Sequence, residues 1–147
     1  VNAPDMVPGT VCTSLAELRD ILPTLVELAG AEQPQGIDGL SLLHDNHREY
    51  LHREHSGGDI GNQYIVTKQD KYCWFMGSGR EQYFRLDTDP KERHDAVADP
   101  DCQERISYLR QLLIKELTGR EEGYTDGIRL IPGRRQKSCL SFLPHPD

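Results

Sequence analysis

The densest group of residues that could do chemistry lies between positions 44 and 55. It contains four of the six histidines of the chain and one glutamate: His44, His47, His52, Glu54 and His55. Imidazole nitrogens suit zinc or nickel, and two H-x-x-H pairs are present. There is no H-E-x-x-H motif, and on a strand His52 and His55 would point to opposite faces, so one strand cannot present both to one ion. We therefore expect no metal site and interpret the group as a solvated polar rim. A small His-rich metal protein is the alternative, which metal analysis of the purified protein would test.

The cysteines offer no second site. Cys12, Cys73, Cys102 and Cys139 are widely spaced and form no C-x-x-C pair. This spacing favours free or buried thiols over a disulfide framework or a zinc site.

Asp87, Asp89 and Glu92 could form either a turn or an oxygen-rich cation site. The segment Asp-Thr-Asp-Pro is already explained as a turn with a self-bonding aspartate, and it lacks the glycine and terminal glutamate of a calcium loop. Tyr72 and Trp74 lie on one face of a predicted strand, where we expect them to form core rather than a ligand platform. We therefore predict no catalytic residue in the chain.

Charge and hydropathy exclude two classes of partner. The 147 residues carry a formal net charge of -7, whereas nucleic acids and anionic membranes require a positive face. No apolar run approaches the ~20 residues of a membrane span.

The first methionine is Met6, so we expect the chain to be part of something longer. The sequence leaves the compartment open.

The elements that must position these residues are mostly strands. Glu49 to Glu54 alternates as a strand does, with Tyr50 and His52 on one face. Gln63 to Glu92 is predicted to form three strands in a meander, with Gln69-Asp70 as a two-residue hairpin connection. Ser56 to Asp59 is predicted to be a flexible loop.

Two helices are predicted. Asp20 is predicted to be the N-cap of the first helix, because Pro23 then falls in the first turn of that helix. Gly30 is predicted to end the helix. The second helix opens at Asp99-Pro100 and ends at Gly119. Its apolar residues follow at spacings of four, three, four and four and form one stripe: Cys102, Ile106, Leu109, Leu113 and Leu117. We expect this helix to cover the sheet.

These elements predict an α+β fold, with a small antiparallel sheet of about four strands covered by a C-terminal helix. The lead-in from Val1 to Thr10 is expected to be irregular. We place one division near residue 45, with a small domain at 46–119. Residues 120–147 are turn-rich and are predicted to form an extended C-terminal arm.

Two blocks of the sequence carry a more specific pattern. The first is DILPTLVELAG at Asp20 to Gly30, followed by GIDGLSLL at Gly36 to Leu43. The second is KYCWFMGSGREQYFRLDTDPKERHDAVADP at Lys71 to Pro100. In order and spacing, over roughly positions 5 to 118, they resemble sulfatases of the alkaline phosphatase superfamily. The first block resembles the segment that leads out of the large catalytic domain, and the second resembles the small C-terminal domain.

The resemblance implies that the chain is the C-terminal portion of a bacterial-type arylsulfatase, with residues 1–45 as the end of the large domain. Such a parent hydrolyses sulfate esters, using a formylglycine made from the first residue of a (Cys/Ser)-x-Pro-x-Arg motif and a calcium-like divalent ion. No cysteine or serine of this chain is followed by Pro and Arg at those offsets. The resemblance also implies that the metal ligands lie upstream of Val1. We therefore expect the chain to be inactive alone.

The resemblance also implies partners and a site. The expected partners are an N-terminal catalytic domain outside this chain and, through the parent, a sulfate ester substrate. In the family, the strand carrying x-His-x-Glu-His lies near the cleft between the domains, so His52, Glu54 and His55 are candidates for lining the substrate cleft. Family members are often exported or periplasmic.

Two alternative functions remain. One is a non-catalytic interaction module that forms a homo-oligomer through the apolar Ile21 to Leu28 helix face. The other is the C-terminal part of a related phosphate or phosphonate monoester hydrolase.

Overall fold

The computed structural model describes residues 7, 9–45, 47–55 and 61–134. Most of the predicted lead-in, the predicted loop Ser56 to Asp59 and the predictions on Cys139 and residues 135–147 lie outside the described residues. The chain divides into two compact units, Val1–Leu51 and His52–Asp147. The division near residue 45 that the sequence suggested stays a prediction.

Among the described residues of the first unit there is one α-helix. A 3-10 turn at Leu18–Asp20 leads into α1, Ile21–Leu28. Pro23 lies in the first turn of α1, where its lack of an N–H leaves no hydrogen bond unmade. Gly30 adopts a φ of +65°, and the N–H of Ala31 donates to the carbonyl of Val26 at 3.1 Å. This is the helix ending that the glycine predicted.

Asp20 does not cap α1 through its side chain, although it occupies the N-cap position as predicted. Its fully buried carboxylate instead accepts the N–H of Leu40 at 2.9 Å and the N–H of Glu17 at 2.8 Å. The guanidinium of Arg48 donates to both carboxylate oxygens, at 2.6 and 2.7 Å. Asp20 therefore ties together three segments of the first unit.

A four-stranded sheet forms the centre of the second unit, as predicted. Its strands are β1 (Leu51–His55), β2 (Asn62–Val66), β3 (Asp70–Phe75) and β4 (Glu81–Arg85), in the order β1-β2-β3-β4. β3 pairs antiparallel with both β2 and β4. Sequential antiparallel neighbours require only short connections, which explains the meander.

The β2–β3 hairpin turns one residue earlier than predicted. The N–H of Thr67 donates to the carbonyl of Asp70 at 2.9 Å, so Lys68 and Gln69 are the central residues of the turn. Asp70 belongs to β3, where its buried carboxylate accepts a hydrogen bond from Arg105 at 2.6 Å. Asp70, which the sequence suggests as a turn residue, thus forms an ion pair with Arg105, a residue distant in sequence.

The covering helix follows its prediction closely. Asp99 accepts the N–H of Asp101 at 3.0 Å, a 3-10 turn spans Pro100–Cys102, and α2 spans Gln103–Leu117. The predicted stripe is buried, with all members at most 4% exposed: Cys102, Ile106, Leu109, Leu113 and Leu117. Burial of each Ile or Leu side chain of the stripe stabilises the fold by roughly 1.5–3 kcal/mol. α2 packs on β2 and β3.

Residues 120–134 differ from an extended arm. Tyr124 is 1% exposed, and its ring meets Trp74 edge to face with centroids 6.0 Å apart. The N–H of Gly133 donates to the carbonyl of Met76 at 2.8 Å. Part of the predicted arm therefore packs on the sheet, and Tyr72 and Trp74 are core residues, as predicted. Within the ranges given above, no helix has the length and apolarity needed to cross a membrane.

Candidate functional site

Strand β1 carries the three candidate cleft residues at its end. Because successive side chains of a strand point to opposite faces, His52 and Glu54 share one face and His55 belongs to the other. His52 is largely buried, with 15% of its side chain exposed, whereas 49% of the Glu54 side chain is exposed. His55 is exposed. The structure thus brings two of the three candidates together.

Gln63 on β2 connects His52 and Glu54. Its Oε1 lies 2.8 Å from His52 Nε2, and its Nε2 donates to Glu54 Oε2 at 3.1 Å. Gln63 is 1% exposed, so both polar ends of its amide are satisfied inside the protein. We call His52, Gln63, Glu54 and Arg120 the β1 edge cluster.

Arg120, which follows α2, reaches back to this edge. Its Nη2 donates to Glu54 Oε2 at 3.0 Å and to Glu122 Oε1 at 2.7 Å. Burial by itself raises the pKa of the Glu54 carboxyl, but the hydrogen bonds from Gln63 and Arg120 outweigh it and lower the pKa below its ordinary value. Glu54 is therefore a carboxylate at neutral pH.

His52 is held in the neutral form. Burial lowers the pKa of its imidazole below the usual value, against the opposing effects of the hydrogen bond to Gln63 and the charge of Glu116. Glu116 Oε2 lies 3.9 Å from His52 Nδ1. A neutral imidazole can both donate and accept, so His52 can hydrogen-bond a ligand without binding a proton.

Tyr124 is the one buried polar group of the described chain whose side chain has no hydrogen-bond partner. Burial raises the pKa of its hydroxyl, with further effects from Glu122, Arg120 and Glu54. The hydroxyl therefore lies within electrostatic reach of the β1 edge cluster. A buried hydroxyl without a partner destabilises a fold by roughly 1–3 kcal/mol.

The histidines do not converge on a metal ion. His44 Nε2 lies 2.6 Å from Glu27 Oε1, and His47 Nδ1 lies 3.9 Å from Asp45 Oδ2. Over the part of the chain that the structure describes, no group of three or more His, Cys, Asp or Glu residues could hold a metal.

Two of the three residues of the candidate cation site, Asp89 and Glu92, have structural partners. Asp89 accepts the N–H groups of Arg93 and His94 at 2.7 and 2.8 Å, as a turn aspartate does. Glu92 accepts a hydrogen bond from Lys71 at 2.7 Å. Burial raises the pKa of the Cys73 thiol to about 11, so this cysteine is a poor nucleophile.

Three members of this neighbourhood were not found from the sequence: Gln63, Arg120 and Tyr124. Gln63 was assigned only to a strand, although a glutamine on the inward face of an alternating strand is a signal of a buried polar network. Arg120 and Tyr124 fell in the predicted arm. No local pattern links Arg120 to Glu54, because 66 positions separate them.

Comparison with known proteins shows which proteins this chain is similar to. The chain is 50% identical over 131 residues to an arylsulfatase of Clostridium perfringens (strain 13 / Type A), an alignment that covers 85% of this chain. The predicted resemblance to the sulfatases is confirmed. The chain spans 27% of the length of this sulfatase. No family model matches the chain.

Solved structures share the fold of this sulfatase-like chain. A protein from Bacteroides thetaiotaomicron VPI-5482 described as a sulfatase matches with a TM-score of 0.64 and 24% identity, covering 77% of this chain and 26% of its own. A 2-O GAG sulfatase matches with a TM-score of 0.63 and 24% identity, covering 77% and 27%. The phosphonate monoester hydrolase of Agrobacterium radiobacter matches with a TM-score of 0.51 and 24% identity, covering 64% and 23%. At these identities the matches establish the α+β fold alone.

Proposed function

We propose that the chain works as the C-terminal portion of a sulfatase, supporting the catalytic domain and lining its substrate cleft with His52, Glu54 and His55. The observation that carries this proposal is the 50% identity to an arylsulfatase over 131 residues that make up 27% of that protein. In this proposal the catalytic domain comes from outside these 147 residues.

The exposed face of α1 supports the proposal. Ile21, Leu22 and Leu25 are 48%, 51% and 59% exposed, although small soluble proteins rarely expose clustered large apolar side chains. A catalytic domain packed on this face would remove it from water. The same face also favours the alternative of self-association through α1.

The chemistry of sulfate hydrolysis would not come from this chain. A formylglycine requires a (Cys/Ser)-x-Pro-x-Arg motif, which no cysteine or serine here begins. Nor do the described residues include a cluster fit for a divalent ion. The residues present thus do not fit either group, and both would belong to the catalytic domain. What this chain would supply is the rigid sheet and the polar edge of β1.

Parallel assays of two proteins test the proposal. One protein is this 147-residue chain, and the other is the complete product of the gene that encodes it. We expect the complete product to hydrolyse nitrophenyl sulfate and this chain alone to show no turnover. Turnover by the chain alone would overturn the proposal, as would a complete gene product without the formylglycine motif.

A phosphate or phosphonate monoester hydrolase is the second candidate, favoured by the fold shared with the Agrobacterium radiobacter enzyme. Nitrophenyl phosphate and a phosphonate monoester, assayed beside nitrophenyl sulfate, separate the two. A preference for either phosphorus ester by a factor of ten or more, about 1.4 kcal/mol, would favour this candidate.

A further inference from the structure

The orientation of the Gln63 amide is fixed by its neighbours. Glu54 is ionised, and a carboxylate only accepts hydrogen bonds. The amide group that faces Glu54 at 3.1 Å must therefore be the NH₂. The same nitrogen lies 3.4 Å from Met76 Sδ, which is a weak acceptor and fits this orientation.

The tautomer of His52 follows from the amide. With its NH₂ turned to Glu54, Gln63 presents its carbonyl oxygen to His52 Nε2 at 2.8 Å. A carbonyl accepts, so the neutral imidazole must carry its proton on Nε2. The remaining ring nitrogen, Nδ1, then has a lone pair and no proton.

The lone pair of His52 Nδ1 faces a second acceptor. Glu116 Oε2 lies 3.9 Å from Nδ1, which is too long for a direct hydrogen bond but places two acceptors next to each other, so that a donor group beside them can reach either one. His52 Nδ1 and the Glu116 carboxylate both accept hydrogen bonds, and the oxygens of a sulfate group likewise only accept them. This position therefore favours a hydroxyl or amino group, which can donate, over a sulfate group.

We propose that Gln63 is a positioning residue that holds His52 as the Nε2–H tautomer. Nδ1, with Glu116, then accepts a hydrogen bond from a hydroxyl or amino group on the part of the substrate that carries the sulfate. This inference rests on the proposed function, because it concerns the same cleft residues. It assigns them to recognition of the leaving group and not of the sulfate.

The first test measures the tautomer in the chain itself. At neutral pH, the NMR shifts of the His52 ring nitrogens should show a protonated Nε2 and an unprotonated Nδ1. Gln63→Met keeps the size of the side chain and removes both hydrogen bonds, so we expect this preference to be lost. Gln82→Met on β4 is the matched control, because Gln82 pairs with Cys73 of β3 and lies outside the cluster. It should leave the shifts of His52 unchanged.

A second variant tests the same assignment in case Gln63→Met does not fold. Glu54→Gln removes the acceptor-only partner that orients the amide and leaves Gln63 in place. We expect a mixture of tautomers in this variant. A protonated Nδ1 in the wild-type chain, or an unchanged tautomer in both variants, would overturn the assignment.

The last test uses the complete sulfatase and two substrates. Gln63→Met should lower kcat/KM roughly threefold to tenfold, through KM, for a sulfated monosaccharide with free hydroxyl groups, as expected for one lost hydrogen bond. In Gln63→Met, the ratio of kcat/KM for this monosaccharide to kcat/KM for nitrophenyl sulfate, whose leaving group offers no such donor, should therefore fall, whereas Gln82→Met should leave both values unchanged. Equal losses for both substrates would contradict the recognition role. Absence of activity in the wild type would instead overturn the proposed function, while the NMR result would stand by itself.

Discussion

At the scale of single residues, Asp20 shows how a local signal can have a distant cause. The sequence marks it as a helix cap, but its carboxylate forms a buried ion pair with Arg48, whose side chain is 13% exposed. Burial by itself raises the pKa of Asp20, but the hydrogen bonds from Arg48, Leu40 and Glu17 outweigh it and lower the pKa to about 2. The stability of the first unit should therefore depend on the charge of this residue.

We expect Asp20→Asn to destabilise the first unit by about 2 kcal/mol, because it removes the charge that accepts two hydrogen bonds from the largely buried Arg48 guanidinium. Glu17 Oε1, 3.6 Å from Arg48 Nη2, remains as the weaker counter-charge. Amide hydrogen exchange in α1 is the measurement. Asp38→Asn is the control, since Asp38 is 76% exposed and contacts Arg19 at 3.4 Å. It should change the stability by less than about 0.5 kcal/mol. Equal effects of the two variants would contradict the role assigned to Asp20.

The same residue predicts a dependence on pH. The pKa of Asp20 is lower in the folded state than its ordinary value of 3.8, so its contribution is present above pH 3.8 and is lost as the pH falls towards 2. The difference in stability between the wild type and Asp20→Asn should therefore shrink over this range. Hydrogen exchange or urea unfolding followed at several pH values would measure it. A difference that grows on acidification would contradict the prediction.

Tyr124 predicts a gain in stability. Because its buried hydroxyl has no partner among the described residues, Tyr124→Phe should stabilise the second unit by about 1 kcal/mol. Tyr83→Phe is the matched control, because the Tyr83 hydroxyl donates to Asp70 at 3.2 Å, and it should destabilise by a similar amount. Urea unfolding followed by the fluorescence of Trp74 gives both values. A loss of stability in Tyr124→Phe would mean that its hydroxyl is hydrogen-bonded in solution.

At the scale of elements, two backbone segments of the first unit approach each other closely. A Cβ added to Gly39 would lie 2.0 Å from the carbonyl oxygen of Arg19. This glycine is therefore required for the loop after α1 to pass beside the turn before α1. No local pattern indicates this contact, because the two segments are 20 positions apart at Leu40 and Asp20.

Gly39→Ala should destabilise the first unit by about 3 kcal/mol, because backbone atoms on both sides must move apart. Gly30→Ala is the control, since Gly30 has a φ of +65° but no atom within 4 Å of the added Cβ. Its cost should be about 1 kcal/mol, from backbone strain alone. Hydrogen exchange in α1 reports on both variants. A cost for Gly39→Ala no greater than that for Gly30→Ala would exclude the steric explanation.

At the scale of the whole molecule, the identity to an arylsulfatase covers 27% of that protein. The first unit exposes on α1 the apolar side chains Ile21, Leu22 and Leu25. We propose that this face is covered by a catalytic domain in a sulfatase and that it makes the isolated chain self-associate.

Replacing Leu22 and Leu25 together by Glu should abolish association of the isolated chain, because charged side chains resist burial between copies. Sedimentation velocity over a range of concentrations would measure it. Ile128→Glu, at a residue that is 79% exposed and far along the chain, should leave the association unchanged. A wild-type chain that stays monomeric at every concentration would contradict self-association through α1.

The sequence by itself determined the strands, the second helix and the resemblance to sulfatases. The alternation in Glu49 to Glu54, the hairpin signal within Gln63 to Glu92 and the stripe from Cys102 to Leu117 are local patterns, so they can be recognised without the fold. The resemblance also named His52 and Glu54 among the three candidates for lining the cleft.

Only the tertiary structure decided how the buried ion pair of the first unit and the β1 edge cluster of the second unit are each assembled. Arg48 reaches Asp20 across 28 positions, and Arg120 reaches Glu54 across 66. Gln63 connects His52 to Glu54 only because β2 follows β1 in the sheet. Such pairings depend on which elements pack together, and side-chain partners distant in sequence leave no periodic pattern along the chain.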